Sequence, residues 1–386
     1  MTAEIRPQLL RRMTVRRILE LLQEQGPSTR AELTRLSGIS APTVSKAVAS
    51  LLESGLLEEG EALPGSLGRP GKRLRLATEK AQVIGIVLDA GRCDIVAASL
   101  DGTLDEDRVS RITTPDNYDD LIDCLVEEAL AVSGRNGVAT LSIGVSVPGL
   151  TNRRQGIAVF SPNLHITDGH PLADDLSNRL GVDCTIFQEA QALCLAERMY
   201  NGAGALEDFA VLDVSTGLGL GVVTTGRLLE GHSGLAGELG HVTMQPNGRL
   251  CGCGNRGCLE TLATDTALAW RISDRIGRPV DIEEAVRLIR SGELDAGAEL
   301  RSVCEYLSIA MSAAINLFNP SSLFVHGRIF DARDSLFDEV CELTGDRALA
   351  PSVRDCTITR ARCSKRQGAV AAAIQSLTDA IGPTIT

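Results

Sequence analysis

Apolar residues near the N-terminus recur at helical spacing. Over residues 10–24, Leu10, Met13, Ile18, Leu21 and Leu22 share one face while Arg11, Arg12, Arg16 and Arg17 fall on others, which predicts an amphipathic helix stopped by Gly26 and Pro27. Ser28 or Thr29 then caps a short second helix, with Glu32 placed to complete a capping box and Leu33 and Leu36 facing inward. Gly38 breaks it. Ser40 caps a third helix over 41–54, with Pro42 in the first turn, where its missing N–H costs little. Val44, Val48, Leu51 and Leu52 form its buried stripe, and Thr43, Ser45, Lys46 and Ser50 lie away from it. A strand starts at Leu56 and Leu57, and its partner ends over 75–77.

Two short helices about a four-residue turn read as a helix-turn-helix whose second helix enters the major groove, offering Ser40, Thr43, Ser45 and Lys46 near its N-terminal end. Between the strands, Gly65, Gly68, Arg69, Pro70, Gly71, Lys72 and Arg73 make a basic loop suited to a wing, with Arg69 matched to the negative potential of a narrow minor groove. A small protein-binding helical bundle would show similar helices. The ordered series of helix, helix-turn-helix and basic hairpin is what favours double-stranded DNA as the partner.

After residue 80 the pattern changes to apolar strands, and it does so twice. Residues 83–89 form an apolar strand ending in Asp89, followed by a turn with Gly91 and Arg92 and a second strand over 94–100. Residues 209–213 form another ending in Asp213, followed by Ser215-Thr216-Gly217-Leu218-Gly219-Leu220-Gly221 and a strand reaching Thr225. Such a duplication is expected to set two phosphate-cradling turns opposite each other across a cleft, with glycine letting backbone N–H groups approach phosphate oxygens. Residues 303–318 read as a long buried helix ended by Asn319 and Pro320, and residues 369–377 as a C-terminal helix after Gly368.

Charge separates the same two regions. Residues 1–80 hold 13 Lys+Arg against 9 Asp+Glu, and the remainder 25 against 41, within a net charge of −12. A basic head on an acidic body confines contact with a polyanion to the head. No stretch approaches the roughly 20 apolar residues of a membrane helix, and no secretory signal is evident, so a cytoplasmic location without membrane contact is expected.

Of eleven cysteines, eight are scattered and read as small buried hydrophobes; three cluster in Cys251-Gly-Cys253-Gly-Asn-Arg-Gly-Cys258-Leu-Glu260, preceded by Glu238-Leu-Gly-His241. Three thiolates and an imidazole make a closed Cys₃His tetrahedron, the form of a structural Zn²⁺ site with no open position for catalysis.

With these motifs the chain resembles the ROK family of repressors and sugar kinases within the actin-like kinase superfamily, and in particular its regulator branch, which places a winged helix before the kinase-like body. The resemblance implies an α/β protein: an N-terminal winged helix-turn-helix (1–80), then a two-lobed, ribonuclease H-like sugar-kinase fold (81–386). Lobe one would be about 82–185 plus a C-terminal helix over 369–384, and lobe two about 186–367. It implies one structural Zn²⁺ per chain on His241, Cys251, Cys253 and Cys258. It implies sugar contacts from Gly149, Asn163, Glu238, His241 and Glu260, with Glu189 at the position of the catalytic base. One ring nitrogen of His241 would hold zinc while the other reaches a hydroxyl. It also implies a homodimer or homotetramer, the dimer matching a two-fold operator.

The departures from the family pattern gather on the ATP and transfer machinery. The first turn reads Asp89-Ala-Gly91-Arg92-Cys93 in place of Asp-x-Gly-Gly-Thr, so Arg92 brings a side chain where backbone must meet phosphate, although its charge suits an anion. The second turn keeps Thr216 and Gly217 but has Ser215 and Leu220 in place of glycines. Asn-Asp-x-Asn reads Gln188-Glu189-Ala190-Gln191, and the extra methylene of Glu189 shifts the base by about 1 Å, a displacement that can cost ~100-fold. The adenine-side Gly-Gly reads Gly327-Arg328. The expectation is a regulator, most often a repressor in such families, controlled by a sugar or sugar phosphate in a degenerate kinase body. An active sugar kinase with a DNA-binding head and a regulator controlled by a protein partner are the alternatives.

Overall fold

The computed structural model describes residues 5–60, 72–134, 137–201 and 206–381. Arg69 and the glycines around it, expected as the tip of the wing, lie outside the described residues. By internal packing the chain forms two compact units: residues 1–146 with 172–187 and 365–386, and residues 147–171 with 188–364. Residues 147–171, assigned from sequence to lobe one, group with the second unit.

The head opens the first unit with α1 (Ile5–Gln25), β1 (Ser28–Thr29), α2 (Arg30–Ser37), α3 (Ala41–Glu53), β2 (Leu57–Gly60) and β3 (Arg73–Leu76), the strands forming an antiparallel sheet in the order β1-β3-β2. Thr29 is the cap of α2: its Oγ1 accepts from the Glu32 N–H at 3.2 Å and Glu32 Oε2 accepts from the Thr29 N–H at 2.7 Å. Ser28 is instead paired with Leu74 across the sheet. Ser40 makes no side-chain cap bond; its hydroxyl meets Thr43 Oγ1 at 2.9 Å, and α3 starts through the Ser40 carbonyl, which accepts from Thr43 and Val44 N–H. The buried stripe of α3 is Val44, Ala47, Val48 and Leu51, with Leu52 only half-buried. Ile18, Leu21, Leu22, Leu33, Leu57, Leu74 and Leu76 are likewise buried in the head, where α3 meets α1, α2 and β2. That core ends a turn after Leu10, which is 62% exposed, against the expectation of an inward residue.

The remaining elements follow as β4 (Ala81–Val87), β5 (Arg92–Ser99), β6 (Leu104–Thr113), α4 (Tyr118–Ser133), β7 (Ala139–Val147), β8 (Leu150–Asn152), β9 (Ile157–Phe160), α5 (Leu172–Leu180), β10 (Cys184–Gln188), α6 (Glu189–Tyr200), β11 (Phe209–Asp213), β12 (Gly219–Thr224), β13 (Arg227–Leu228), α7 (Asp265–Ile276), α8 (Ile282–Arg290), α9 (Gly297–Phe318), β14 (Ser322–His326), α10 (Leu336–Arg347), α11 (Ala350–Arg354), β15 (Thr357–Arg360) and α12 (Lys365–Ile381). The first unit holds a five-stranded sheet in the order β10-β7-β4-β5-β6 and the second one in the order β13-β12-β11-β14-β15. Numbered within each five-stranded sheet, these orders are the same arrangement, with the first strand central, antiparallel to the second and parallel to the fourth. The internal repeat read from the two Asp-ended strands is therefore a repeat of whole sheets.

Helix α12 closes the first sheet. A Cβ built on Gly144 of β7 would sit 2.1 Å from the Ala369 carbonyl oxygen and 2.5 Å from the Ala373 nitrogen, so backbone lies on backbone there and no side chain fits. Gly368, expected as a break, is buried inside α12, which starts at Lys365. The far end of α12 meets the head: Arg12 Nη2 donates to the Ala380 carbonyl at 3.0 Å, and Arg16 Nη2 lies 3.1 Å from Asp379 Oδ1. Cations at the last turn satisfy free carbonyls and the negative end of the helix dipole, so these arginines serve the fold. In the second unit α9 is the central core helix; it begins at Gly297, six residues before the expected start, and ends as expected at Asn319 in the left-handed conformation.

Candidate functional site

The ligand atoms of His241, Cys251, Cys253 and Cys258 all lie within 4.8 Å of one another. Cys253 Sγ and Cys258 Sγ are 3.7 Å apart, and Cys251 Sγ is 3.6 Å from His241 Nδ1. With Zn–S near 2.3 Å and Zn–N near 2.0 Å, a tetrahedron has S···S edges of about 3.8 Å and S···N edges of about 3.5 Å. The donor set and its spacing fit a tetrahedral zinc. Two tight turns make this possible. A Cβ on Gly252 would fall 2.1 Å from the Pro162 carbonyl oxygen, so the cysteine loop lies directly on the segment that carries Asn163. Gly149, at φ +96, lets the chain pass within contact of Phe160, Ser161 and Pro162 of the same segment.

A narrow hollow of about 40 Å³, room for a few waters, adjoins the cluster and is lined by residues that include Gly149, Asn163, Gln188, Glu189, Gly217, Glu238, His241 and Glu260. The sequence-predicted sugar residues are thus brought together within one unit. His241 bridges cluster and hollow: its Nδ1 faces Cys251 while its Nε2 lies 3.6 Å from Glu238 Oε2. Glu260, only 8% exposed, is tied to the cluster by a 2.8 Å contact between its Oε1 and Cys251 Sγ. Gln188 Nε2 donates to Glu238 Oε1 at 2.6 Å, and burial raises the Glu238 carboxyl to about 7, with the Glu260 charge adding to the shift and the Gln188 bond opposing it. A carboxyl poised there can accept or donate to a hydroxyl near neutrality. The buried Gln188 Oε1 has no hydrogen-bond partner, and an unpaired buried acceptor favours any ligand bringing an O–H. The sequence marks Gln188 only as a departure from the family motif; its grip on Glu238 emerges from the fold.

The residues expected at the nucleotide site divide between the units. In the first, Asp89 Oδ2 lies 3.9 Å from Lys365 Nζ, and Arg92, 64% exposed, has its Nε 3.4 Å from Asp94 Oδ1. In the second, Thr216 and Gly217 follow β11 and Gly327 follows β14. Asp213 and His326, cross-strand neighbours at the ends of β11 and β14, pair at 2.9 Å, and Asp213 Oδ1 also accepts from the Ser215 hydroxyl at 2.8 Å. His165 and His170 line neither this hollow nor the wider one described below; His165 pairs with Asp168 at 2.9 Å.

In the head, Ser40, Thr43, Ser45 and Lys46 are exposed along the start of α3, a free face for a groove. Lys72 is exposed and 2.5 Å from Glu59, while Arg73, expected in the loop, is the first residue of β3 and only half-buried.

Comparison with known proteins agrees with both halves. The ROK family profile matches residues 84–378, and a winged helix-turn-helix DNA-binding profile matches residues 14–58. The chain is 26% identical over 366 residues to the DNA-binding transcriptional dual regulator NagC of Escherichia coli K12, spanning 92% of this chain and 86% of that protein. It is 32% identical over 282 residues to a glucokinase of Thermotoga maritima, spanning 69% and 88%. The crystal structure of a ROK family transcriptional regulator, a homolog of the E. coli MLC protein, superposes with a TM-score of 0.80 at 26% identity, covering 96% of this chain and 98% of that one.

Proposed function

This chain belongs to the ROK family, and from that premise we propose that it is a DNA-binding transcriptional regulator, a repressor of carbohydrate metabolism. Its kinase-like body binds a sugar or sugar phosphate and has given up phosphoryl transfer. The observation that carries the reading is the exposed start of α3 in the same chain as a hollow lined by Asn163, Glu189, Glu238, His241 and Glu260. Carboxylates, amides and an imidazole satisfy hydroxyls that both donate and accept. One structural zinc, held by His241, Cys251, Cys253 and Cys258, supplies rigidity. The His241 ring and the turn carrying Glu260 then keep their orientation toward the hollow. A sugar ring needs more room than the hollow offers as it stands, so binding widens it. A ligand shifts DNA affinity by its differential affinity for the two arrangements, and the arginine contacts from α1 to α12 tie the head to the body that would respond. The working form is a cytoplasmic homodimer or homotetramer reading a two-fold site.

Against phosphoryl transfer stand Arg92, which opens β5 directly after the first turn, Glu189 in place of the base, and the Asp213–His326 pair at the mouth of the second turn. The second reading, an active sugar kinase, draws on the likeness to a glucokinase and on the carboxylate retained at Glu189. A coupled assay of ATP consumption over a hexose panel separates the two; turnover of about 1 s⁻¹ or more overturns the regulator-only reading. The regulatory claim is tested by anisotropy titration of a duplex selected from a random library, with and without saturating sugar. A tenfold or larger change in affinity is expected, and unchanged affinity with a sugar shown to bind overturns it. In the same titration Lys46→Ala weakens binding, and the slope of log affinity against log salt becomes shallower by about one if its ammonium meets a phosphate.

A further inference from the structure

The second unit also carries a wider hollow, about 380 Å³, between the turn joining β8 to β9 and residues 230–234. This volume lies within the range of small-ligand pockets. Three chain segments supply residues to the lining of both hollows. Gly149 leads into β8 and on to Arg153 and Arg154; Gln188 ends β10 and Gln191 follows three residues later in the first turn of α6; and residues 230–234 continue to Glu238.

The polar groups of the wider hollow are unequally satisfied. Asn152 and Gln155 bond to each other, Nδ2 to Oε1 at 2.7 Å, and Arg153 is paired with Glu230. Gln191, 5% exposed, has an amide nitrogen with no hydrogen-bond partner. Arg154 is exposed and has no ion-pair partner among the described residues, and His232 and Ser233 stand exposed beside it. The lining therefore offers Arg153 and Arg154 against the single carboxylate of Glu230, in a body whose overall charge is negative. The narrow hollow has the opposite character, with Glu189, Glu238, Glu260 and Asp213 around it. An anionic group entering there would meet like charge in a poorly solvated place.

We infer that the wider hollow is a second subsite that receives an anionic substituent, carboxylate or phosphate, of a saccharide whose neutral ring occupies the narrow hollow. Arg154 supplies the charge and the Gln191 amide a buried donor, a combination that gains most when the ligand oxygen is ionised. This inference rests on the sugar-binding reading above and specifies the ligand class for it.

Calorimetric titration of the full-length protein with glucose, glucuronate, glucose 1-phosphate and glucose 6-phosphate tests it, repeated with N-acetylglucosamine and its 6-phosphate. The expected result is that at least one anionic sugar binds tenfold or more tighter than its neutral parent. Arg154→Ala should abolish that advantage while changing the neutral sugar's Kd by less than twofold, and Gln191→Leu should reduce it by severalfold. Glucuronate against the phosphates distinguishes a carboxylate from a phosphate as the preferred group. Neutral sugars binding as well as anionic ones, or Arg154→Ala leaving the preference intact, overturns the subsite and leaves the sugar reading standing. Absence of binding by every sugar, neutral and anionic, removes both.

Discussion

Cys258→Ser is expected to lower bound zinc from one per chain to well below that, and to weaken sugar binding by 100-fold or more in the same preparation. Cys258 holds two positions at once. Its Sγ stands 3.7 Å from Cys253 Sγ in the metal cluster, and its backbone opens the turn that carries Glu260 into the hollow. A structural zinc contributes its binding free energy directly to folding, so removing one ligand frees the cysteine loop from the Pro162–Asn163 segment on which Gly252 rests. Asn163, His241 and Glu260 would then lose their common frame, and a site loosened by about 1 Å loses most of its affinity. Metal analysis and sugar titration on one sample check the prediction. Unchanged metal content excludes Cys258 as a ligand; metal loss with intact sugar affinity severs the cluster from the hollow. DNA binding by the head should survive, because its core is built from its own residues.

Gly144→Ala should be the most destabilising single methyl in the chain's first unit. The added Cβ would lie 2.1 Å from the Ala369 carbonyl oxygen and 2.5 Å from the Ala373 nitrogen, both backbone atoms of α12, and neither can rotate away. Overpacking of this kind costs about 3 kcal/mol, which lowers the melting temperature by roughly 6–12 °C at 2–4 °C per kcal/mol. Gly345 gives a control of opposite sign. It lies inside α10, and a Cβ there meets nothing within 4 Å, so Gly345→Ala should stabilise by about 1 kcal/mol. Differential scanning calorimetry on the pair reads both signs. A Gly144→Ala protein melting with the parent would mean that α12 is not seated on β7 as described. Because Arg12 and Arg16 hold the end of α12, the same substitution should also loosen α1 and reduce DNA affinity.

Local features were legible without the fold wherever the physics is local. The capping box needed only Thr29 and Glu32 three residues apart, and Gly38 ended α2 in the left-handed conformation, as a break there requires. The three cysteines close together are a local signal too, and the imidazole ten residues upstream completes a set that only a metal explains well. The apolar runs leading to Asp89 and Asp213 announced a repeat, although β4 stops at Val87, two residues short of its Asp. Helix ends and inward faces were read less well where tertiary contact sets them: Gly368 is tolerated inside α12 because the helix packs tightly on the sheet, and Leu10 is exposed because the head's core stops a turn later.

By itself, then, the sequence determined the helices and strands of the head, the four candidate metal donors and the residue types available for recognition, because these depend on neighbours a few positions away. Only the tertiary structure decided which donors are left unpaired. Gln188 and Gln191 look alike in the chain, yet one clamps Glu238 and offers a free carbonyl, while the other ends in a buried amide nitrogen with no partner. Hydrogen-bond satisfaction is a property of groups brought together from distant segments, and no spacing along the chain encodes it.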